Sequence, residues 1–247
     1  MSSLLALWDV DFTLVNTRGV GIHLYQLAFR DLYGRELPDA SAKANMAGRT
    51  DLAIALDVLE LAGVPDPPVQ VKLFEKALTK LAPQVKDLVV ASGEALPGAA
   101  QALEALAKRS VTQSLLTGNV RAMAEVKLAP FGLTKHLDLE IGAYGDESTV
   151  RADLVHLARA RAATNYWKSY SGPATILIGD TPLDIEAARA TGAWAVGVAT
   201  GRFSVDELTS AGADVVLPDL TDTELVLDAV LGTGPRLYLA DYQPRPA

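Results

Sequence analysis

Asp9 and Asp11 stand one residue apart directly after the apolar run Leu4-Leu5-Ala6-Leu7-Trp8. In an extended chain the side chains at i and i+2 point to the same side, so both carboxylates can face one crevice. Two carboxylates held together are costly unless a cation or a proton separates them, which is the chemistry of a metal site or of a shared proton. The run before them reads as a buried parallel strand, and the carboxyl end of such a strand is where open α/β sheets bind ligands. A plainer reading also fits the pair alone: aspartates serve as turn residues and helix N-caps.

Two later stretches bear on that choice. Leu115-Leu116-Thr117-Gly118-Asn119 and Ile176-Leu177-Ile178-Gly179-Asp180-Thr181-Pro182-Leu183-Asp184 each carry polar residues after an apolar run. The ordered series D-x-D-x-T, T-G-N and G-D-x-x-x-D resembles the haloacid dehalogenase-like superfamily of phosphohydrolases, and the resemblance spans nearly the whole chain. Within it, the Gly48-Arg49-Thr50-Asp51 stretch is similar to that of phosphoglycolate phosphatase-like members.

The resemblance implies a chemistry for each position. Asp9 is the expected nucleophile, forming an aspartyl-phosphate. Asp11 is the expected general acid and base, protonating the leaving alkoxide and later activating water. A phosphate dianion beside Asp9 requires a hard cation, and oxygen ligands select Mg²⁺. Asp9, the backbone carbonyl of Asp11, and Asp180 are its expected ligands, with Asp184 as a further ligand or a supporting partner. Thr117 is expected to hold a phosphate oxygen, with backbone N–H groups of Gly118 and Asn119 adding donors at a helix N-terminus. Thr181-Pro182-Leu183-Asp184 reads equally well as a helix start, and for Asp184 the two roles are compatible.

The chain departs from the family pattern where relatives carry a lysine before the fourth strand. The matching region, Asp146 to Asp153, has none, and Arg151 is the best candidate for that cation. Lys127 is the rival, but it lies roughly 10–12 Å along its helix from Thr117-Gly118-Asn119, which favours a surface role. Arg49 is expected to face the substrate, as against a solvated arginine beside a helix cap. Thr13 reads as a hydroxyl that fixes the loop after Asp11. His23, His136 and His156 are scattered without metal-ligand spacing and read as structural or surface residues.

These residues need elements to position them. From Leu96 onward strands alternate with helices, which predicts a doubly wound, Rossmann-like parallel sheet. The expected strands include Val111–Leu116, Leu137–Ile141, Ala174–Ile178, Ala193–Val198 and Val215–Leu217. The expected helices include Val120–Leu128, Arg151–Ala163, Pro182–Thr191, Ser204–Ala211 and Thr221–Leu231. Residues 16–94 differ: their apolar residues recur at helical spacing over Gly19–Tyr33, Asp51–Ala62 and Pro68–Ala91, with a short piece from Pro38 to Gly48. This predicts a helical insertion, placed where the superfamily carries a C1 cap. The expected domains are thus a discontinuous α/β core, 1–15 and 95–247, and a cap, 16–94. The stretch from Gly232 has three prolines and no periodicity.

Composition narrows the partners. A chain of 247 residues with 49% apolar content can bury a sizeable core. A formal charge of −8 disfavours nucleic acid and anionic membranes as partners. There is no cysteine, so neither disulfides nor thiolate metal sites arise. The N-terminus lacks a leader pattern and no apolar run reaches about 18 residues. The expectation is a cytoplasmic monomer or homodimer acting on a small phosphorylated metabolite. Three alternatives stay open: a 2-haloacid dehalogenase, which needs no Asp11; a phosphoryl mutase; and a catalytically silent binding or scaffold protein.

Overall fold

The structure, a computed structural model, describes residues 3–38 and 46–232. The helical piece expected between Pro38 and Gly48 falls largely outside them, as do residues 233–247 of the C-terminal stretch.

Five strands form one parallel sheet: β1 (Leu5–Trp8), β4 (Thr112–Leu115), β5 (Thr175–Gly179), β6 (Trp194–Val198) and β7 (Val215–Leu217), in the order β4-β1-β5-β6-β7. The chain leaves β1 for β4 on one side and then crosses to β5 on the other. Trp8 is in register with both Leu115 and Ile178, so the residues after all three strands meet at one crevice. That reversal of strand order is where doubly wound sheets hold their ligands.

The pleat of β1 sorts its side chains between two layers. Leu5 and Leu7 pack with Leu154 and Val155 of α7 (Arg151–Tyr166) and with Ile185 and Ala188 of α8 (Pro182–Ala190). Ala6 and Trp8 pack with Leu103 and Leu106 of α5 (Ala99–Lys108) and with Leu227 and Val230 of α10 (Thr223–Leu231). The Trp8 indole is fully buried, and its N–H donates to Gln113 Oε1 at 3.1 Å. The helix α9 (Val205–Ser210) joins the Leu5 and Leu7 layer through Leu208.

The expected strand at Leu137–Ile141 does not form. Ala143 bridges to the sheet at Leu116 and Asp138 N–H donates to Gln113 O at 2.9 Å, but no ladder joins them. The carbonyls a ladder would use are taken by side chains instead: Ser114 Oγ donates to Asp138 O and Tyr144 OH to Leu139 O. The long helix expected over Pro68–Ala91 is also interrupted. It divides into α3 (Pro67–Leu81), a 3₁₀ turn over Ala82–Val85, and α4 (Lys86–Ser92). Pro83 has no N–H for the ladder, and the break falls there.

The segment between β1 and α5 is helical, as its periodicity predicts. α1 (Val20–Tyr33), α2 (Asp51–Leu61), α3 and α4 bury Phe29, Leu59, Phe74 and Leu78 in a core of their own. Val120 and Met123, at the start of α6 (Arg121–Leu128), join that core, so α6 is the seat on which the insertion rests. The chain enters and leaves the insertion through a two-stranded antiparallel ribbon, β2 (Val15–Asn16) with β3 (Glu94–Ala95), clasped by an Arg18–Glu94 ion pair at 2.9 Å. Among the described residues no helix is long and apolar enough to cross a membrane.

Candidate active site

Asp9, Thr117 and Asp180 follow β1, β4 and β5 by one or two residues, and sheet register alone brings them to one crevice. Asp9 N–H donates to Ile178 O at 2.9 Å, extending the ladder one residue past β1 and pinning the Asp9 backbone. Carboxylate oxygens of Asp9, Asp180 and Asp184 all lie within 4.8 Å of one another, and all three residues are buried.

Three buried carboxylates in one pocket strain its electrostatics. Burial pushes the Asp180 carboxyl well above its ordinary range, and the charges of Asp9 and Asp184 push it further. Asp9 is also raised, chiefly by burial, with Arg151 opposing the shift and Asp184 adding to it. An excess of hard oxygen donors around one point is the donor chemistry of a divalent cation. Asp184 is the least free of the three. Its Oδ2 accepts from Thr181 N–H at 3.1 Å and from Thr181 Oγ1 at 2.7 Å, closing a capping box at the start of α8. Its Oδ1 lies 2.5 Å from Arg151. The helix-start reading of Asp184 therefore holds, and the same carboxylate faces the pocket.

Arg151 supplies the one cation in contact with this cluster among the described residues. It opens α7, is 7% exposed, and sets Nη2 at 2.9 Å from Asp9 Oδ1. The same guanidinium donates to Gly48 O at 3.2 Å and Leu116 O at 3.3 Å. Its Nε–H is buried without a partner among the described residues. A planar fork can serve several acceptors at once, which the ammonium of a lysine does less well.

Lys127 does not lie on the surface. It is 3% exposed, and its Nζ stands 2.7 and 2.6 Å from the two carboxylate oxygens of Asp11 and 2.7 Å from Asn119 Oδ1. The distance along the axis misleads because helical side chains lean toward the N-terminus, and a lysine stem spans the remaining turn. The sequence did hold a signal: Lys127 is four residues after Met123 and next to Leu128, on the inward stripe of α6. The choice between Arg151 and Lys127 dissolves, since each cation takes a different aspartate.

Asn119 and Thr117 link these groups. Asn119 Nδ2 donates to Asp11 Oδ2 and to Thr117 Oγ1, both at 2.8 Å, and Asn119 N–H donates to Thr117 Oγ1 at 3.3 Å. The Thr117 oxygen accepts twice, so its own proton remains to be donated into the pocket. The backbone N–H of Asn119, expected as a phosphate donor, is thus turned onto Thr117. The side chain of Asp11 stands outside the carboxylate cluster and is about a third exposed. The Thr13 hydroxyl, expected to fix the loop, is buried without a partner among the described residues. Phe12, between the two, holds a left-handed backbone (φ 56°) with its carbonyl accepting from Thr200 Oγ1 at 2.5 Å.

The Gly48–Asp51 stretch docks through its backbone. Asp51 N–H donates to Gly118 O at 2.7 Å and Leu52 N–H to Gly145 O at 2.9 Å. The approach is so close that a Cβ on Gly118 would fall 2.0 Å from Arg49 O, and one on Gly145 would fall 1.6 Å from Gly118 O. Gly118 thus serves as a seat for the insertion. Thr50 N-caps α2, accepting from Ala53 N–H at 3.3 Å. The Arg49 side chain, expected to face substrate, lies along α2, 2.6 Å from Asp57 and 3.2 Å from Ala53 O. Asp51, whose sequence context suggested only a helix start, is buried at this seam. Its Oδ2 accepts from Val120 N–H and its Oδ1 from Tyr25 OH, both at 2.7 Å.

Residues 6–189 match the model of the haloacid dehalogenase-like hydrolase family. A protein of Dickeya dadantii (strain 3937) named Probable phosphatase IndB is 26% identical over 231 residues, covering 92% of this chain and 94% of its own. A hydrolase from Pseudomonas syringae, 23% identical, superposes with a TM-score of 0.62, covering 93% of this chain and 99% of that one. A predicted phosphatase from Clostridium acetobutylicum, 17% identical, does so at 0.67, covering 92% and 100%. At such identities the solved structures share the fold, while the match of the family model extends from β1 through α8 and takes in Asp9, Thr117, Arg151 and Asp180. The chain belongs to the haloacid dehalogenase-like hydrolases.

Proposed function

We propose that this protein is a Mg²⁺-dependent phosphohydrolase that cleaves a small phosphomonoester through an aspartyl-phosphate on Asp9. The observation that carries this reading is the carboxylate cluster Asp9–Asp180–Asp184 around Arg151, with a second aspartate, Asp11, two residues beyond the nucleophile. The family match and a relative named as a phosphatase support it.

In this reading Asp9 attacks phosphorus while Thr117 and Arg151 hold phosphoryl oxygens and offset their charge. Asp11 gives its proton to the leaving oxygen as the P–O bond breaks. It then takes one from the water that attacks the aspartyl-phosphate, restoring Asp9. Asp9, Asp180 and the Asp11 carbonyl would hold the cation, with Asp184 beside them. A Mg²⁺ ion bound there would supply positive charge to offset the carboxylates and the phosphate. The presence of Asp11 favours phosphoester hydrolysis over dehalogenation, which has no leaving group to protonate.

The helical insertion, residues 16–94, acts as a cap in this proposal. The ribbon of β2 and β3 is its stem, and the docking of Gly48–Asp51 onto Gly118 and Gly145 is its closed contact. Closure would exclude water before transfer to Asp9. Selectivity among phosphomonoesters then falls to the insertion, because the core addresses only phosphate and cation.

The deciding experiment is phosphate release from a panel of phosphomonoesters, including phosphoglycolate, sugar phosphates and nucleotides, with Mg²⁺ and with excess EDTA. Turnover that requires Mg²⁺ and is lost in Asp9→Asn supports the proposal. Halide release from a 2-haloacid, undiminished by EDTA, would replace it with the dehalogenase reading.

A further inference from the structure

Lys127 is a buried ammonium with all three of its donors engaged: two by Asp11 and one by Asn119. A buried cation persists only where it is paired and hydrogen-bonded, so this arrangement is specific and not incidental. Asn119 closes the ring. Its oxygen accepts from Lys127 while its amide nitrogen donates to Asp11 Oδ2 and to Thr117 Oγ1. The Asp11 carboxylate is therefore gripped at both oxygens from one side, and its rotation about the Cβ–Cγ bond is set by α6.

The insertion roofs this ring. The Lys127 ammonium stands 3.9 Å from where a Cβ on Gly21 of α1 would be, so α1 passes directly over it. The Lys127 charge also acts on the buried Asp51 carboxyl of α2, favouring its charged form. Arg151 reaches neither Asp11 nor Asn119 in any hydrogen bond of the described residues; its contacts are Asp9, Asp184 and two backbone carbonyls.

We infer that Lys127 is a positioning residue for the acid–base step: it orients the Asp11 carboxyl toward the oxygen of the departing alcohol. The inference rests on the reading of Asp11 as acid and base. Lys127 neither gives nor takes a proton. Asp11 loses its proton to the ester oxygen as the P–O bond breaks and regains one from the attacking water. The consequence is specific to chemistry. Esters with basic alkoxide leaving groups need Asp11 correctly aimed, whereas p-nitrophenolate leaves without protonation.

The test compares glycerol 2-phosphate, phenyl phosphate and p-nitrophenyl phosphate on the wild type, Lys127→Met, Asp11→Asn and the double variant. Lys127→Met should lose about 100-fold in kcat on glycerol 2-phosphate and less than about fivefold on p-nitrophenyl phosphate, the range expected of one acid–base contribution. The double variant should be no slower than Asp11→Asn alone, because a positioning residue has nothing left to position. Equal losses on all three esters, or a double variant slower by the full Lys127→Met factor, would overturn the inference while leaving the role of Asp11 intact. An Asp11→Asn variant that loses nothing selectively on glycerol 2-phosphate would remove the acid–base reading, and this inference with it. Where Lys127→Met does not fold by circular dichroism, Lys127→Gln, which keeps two N–H donors without the charge, is read on the same esters by the same criteria.

Discussion

The guanidinium of Arg151 holds Asp9 at 2.9 Å, joining the first residue of α7 to the first residue after β1 across the central crevice. The contact ties one oxygen of the Asp9 carboxylate to the guanidinium. Desolvation acts against this arrangement, and Arg151 opposes it by favouring the charged form of Asp9.

Asp9→Asn keeps the size of the side chain but removes its nucleophilicity. Turnover of every phosphomonoester should fall by at least about a thousandfold, because an amide does not attack phosphorus. Far-UV circular dichroism should be unchanged. Activity within tenfold of wild type would mean that Asp9 is not the nucleophile.

Arg151→Met should destabilise the protein by about 3–5 kcal/mol at pH 7.5, the cost of leaving buried carboxylates without their cation. The loss should shrink at pH 5, because Asp9 and Asp180 are both raised and can take protons in the absence of the arginine. Urea unfolding at the two pH values measures this. A loss that is the same at both would assign the effect to packing alone.

Magnesium should raise the melting temperature, and EDTA should remove the gain. The effect should grow with pH, since Asp180, raised by burial and by Asp9 and Asp184, must lose its proton before it can serve as a ligand. Asp180→Asn should abolish the magnesium-dependent shift. A melting temperature insensitive to Mg²⁺ from pH 6 to 9 would argue against a cation at this cluster.

Gly145→Ala puts a methyl group 1.6 Å from Gly118 O, a backbone atom that cannot step aside cheaply. The docking of Asp51 and Leu52 should loosen, with a loss of about 1–3 kcal/mol. Differential scanning calorimetry reads the loss. An unchanged melting temperature would show that the seam contributes nothing to stability.

Asp51 is buried and raised to about 6, mainly by desolvation, with Tyr25 and Val120 opposing. A carboxyl raised on folding binds more protons in the native than in the unfolded state between its two pKa values. Its contribution is therefore complete below about pH 4 and is lost as pH rises through 6. Asp51→Asn, which can still accept from Val120 and donate to Tyr25, lacks this titration. Relative to that variant, wild type should lose about 2 kcal/mol of stability between pH 4 and pH 6. Parallel stability curves for the two proteins over that window would refute the assignment.

The apolar runs of this sequence determine where the strands end, and in a parallel sheet strand ends converge. Asp9, Thr117 and Asp180 could therefore be placed at one crevice from the chain alone, as could the helical insertion, whose periodicity is local. The helix start at Thr181–Asp184 was legible for the same reason: a capping box is a relation among four neighbouring residues. What the tertiary structure decided is which charge meets which. Lys127 and Asp11 are far apart in sequence, and their contact depends on the lean of a side chain on α6 and on the depth of its groove. That Arg49 pairs with Asp57 of α2 was likewise not legible in the sequence. The alternating stretch Leu137–Ile141 fails as a strand because Ser114 and Tyr144, distant or out of register, take its carbonyls first. Periodicity fixes the direction a residue faces; only the packed chain fixes what it finds there.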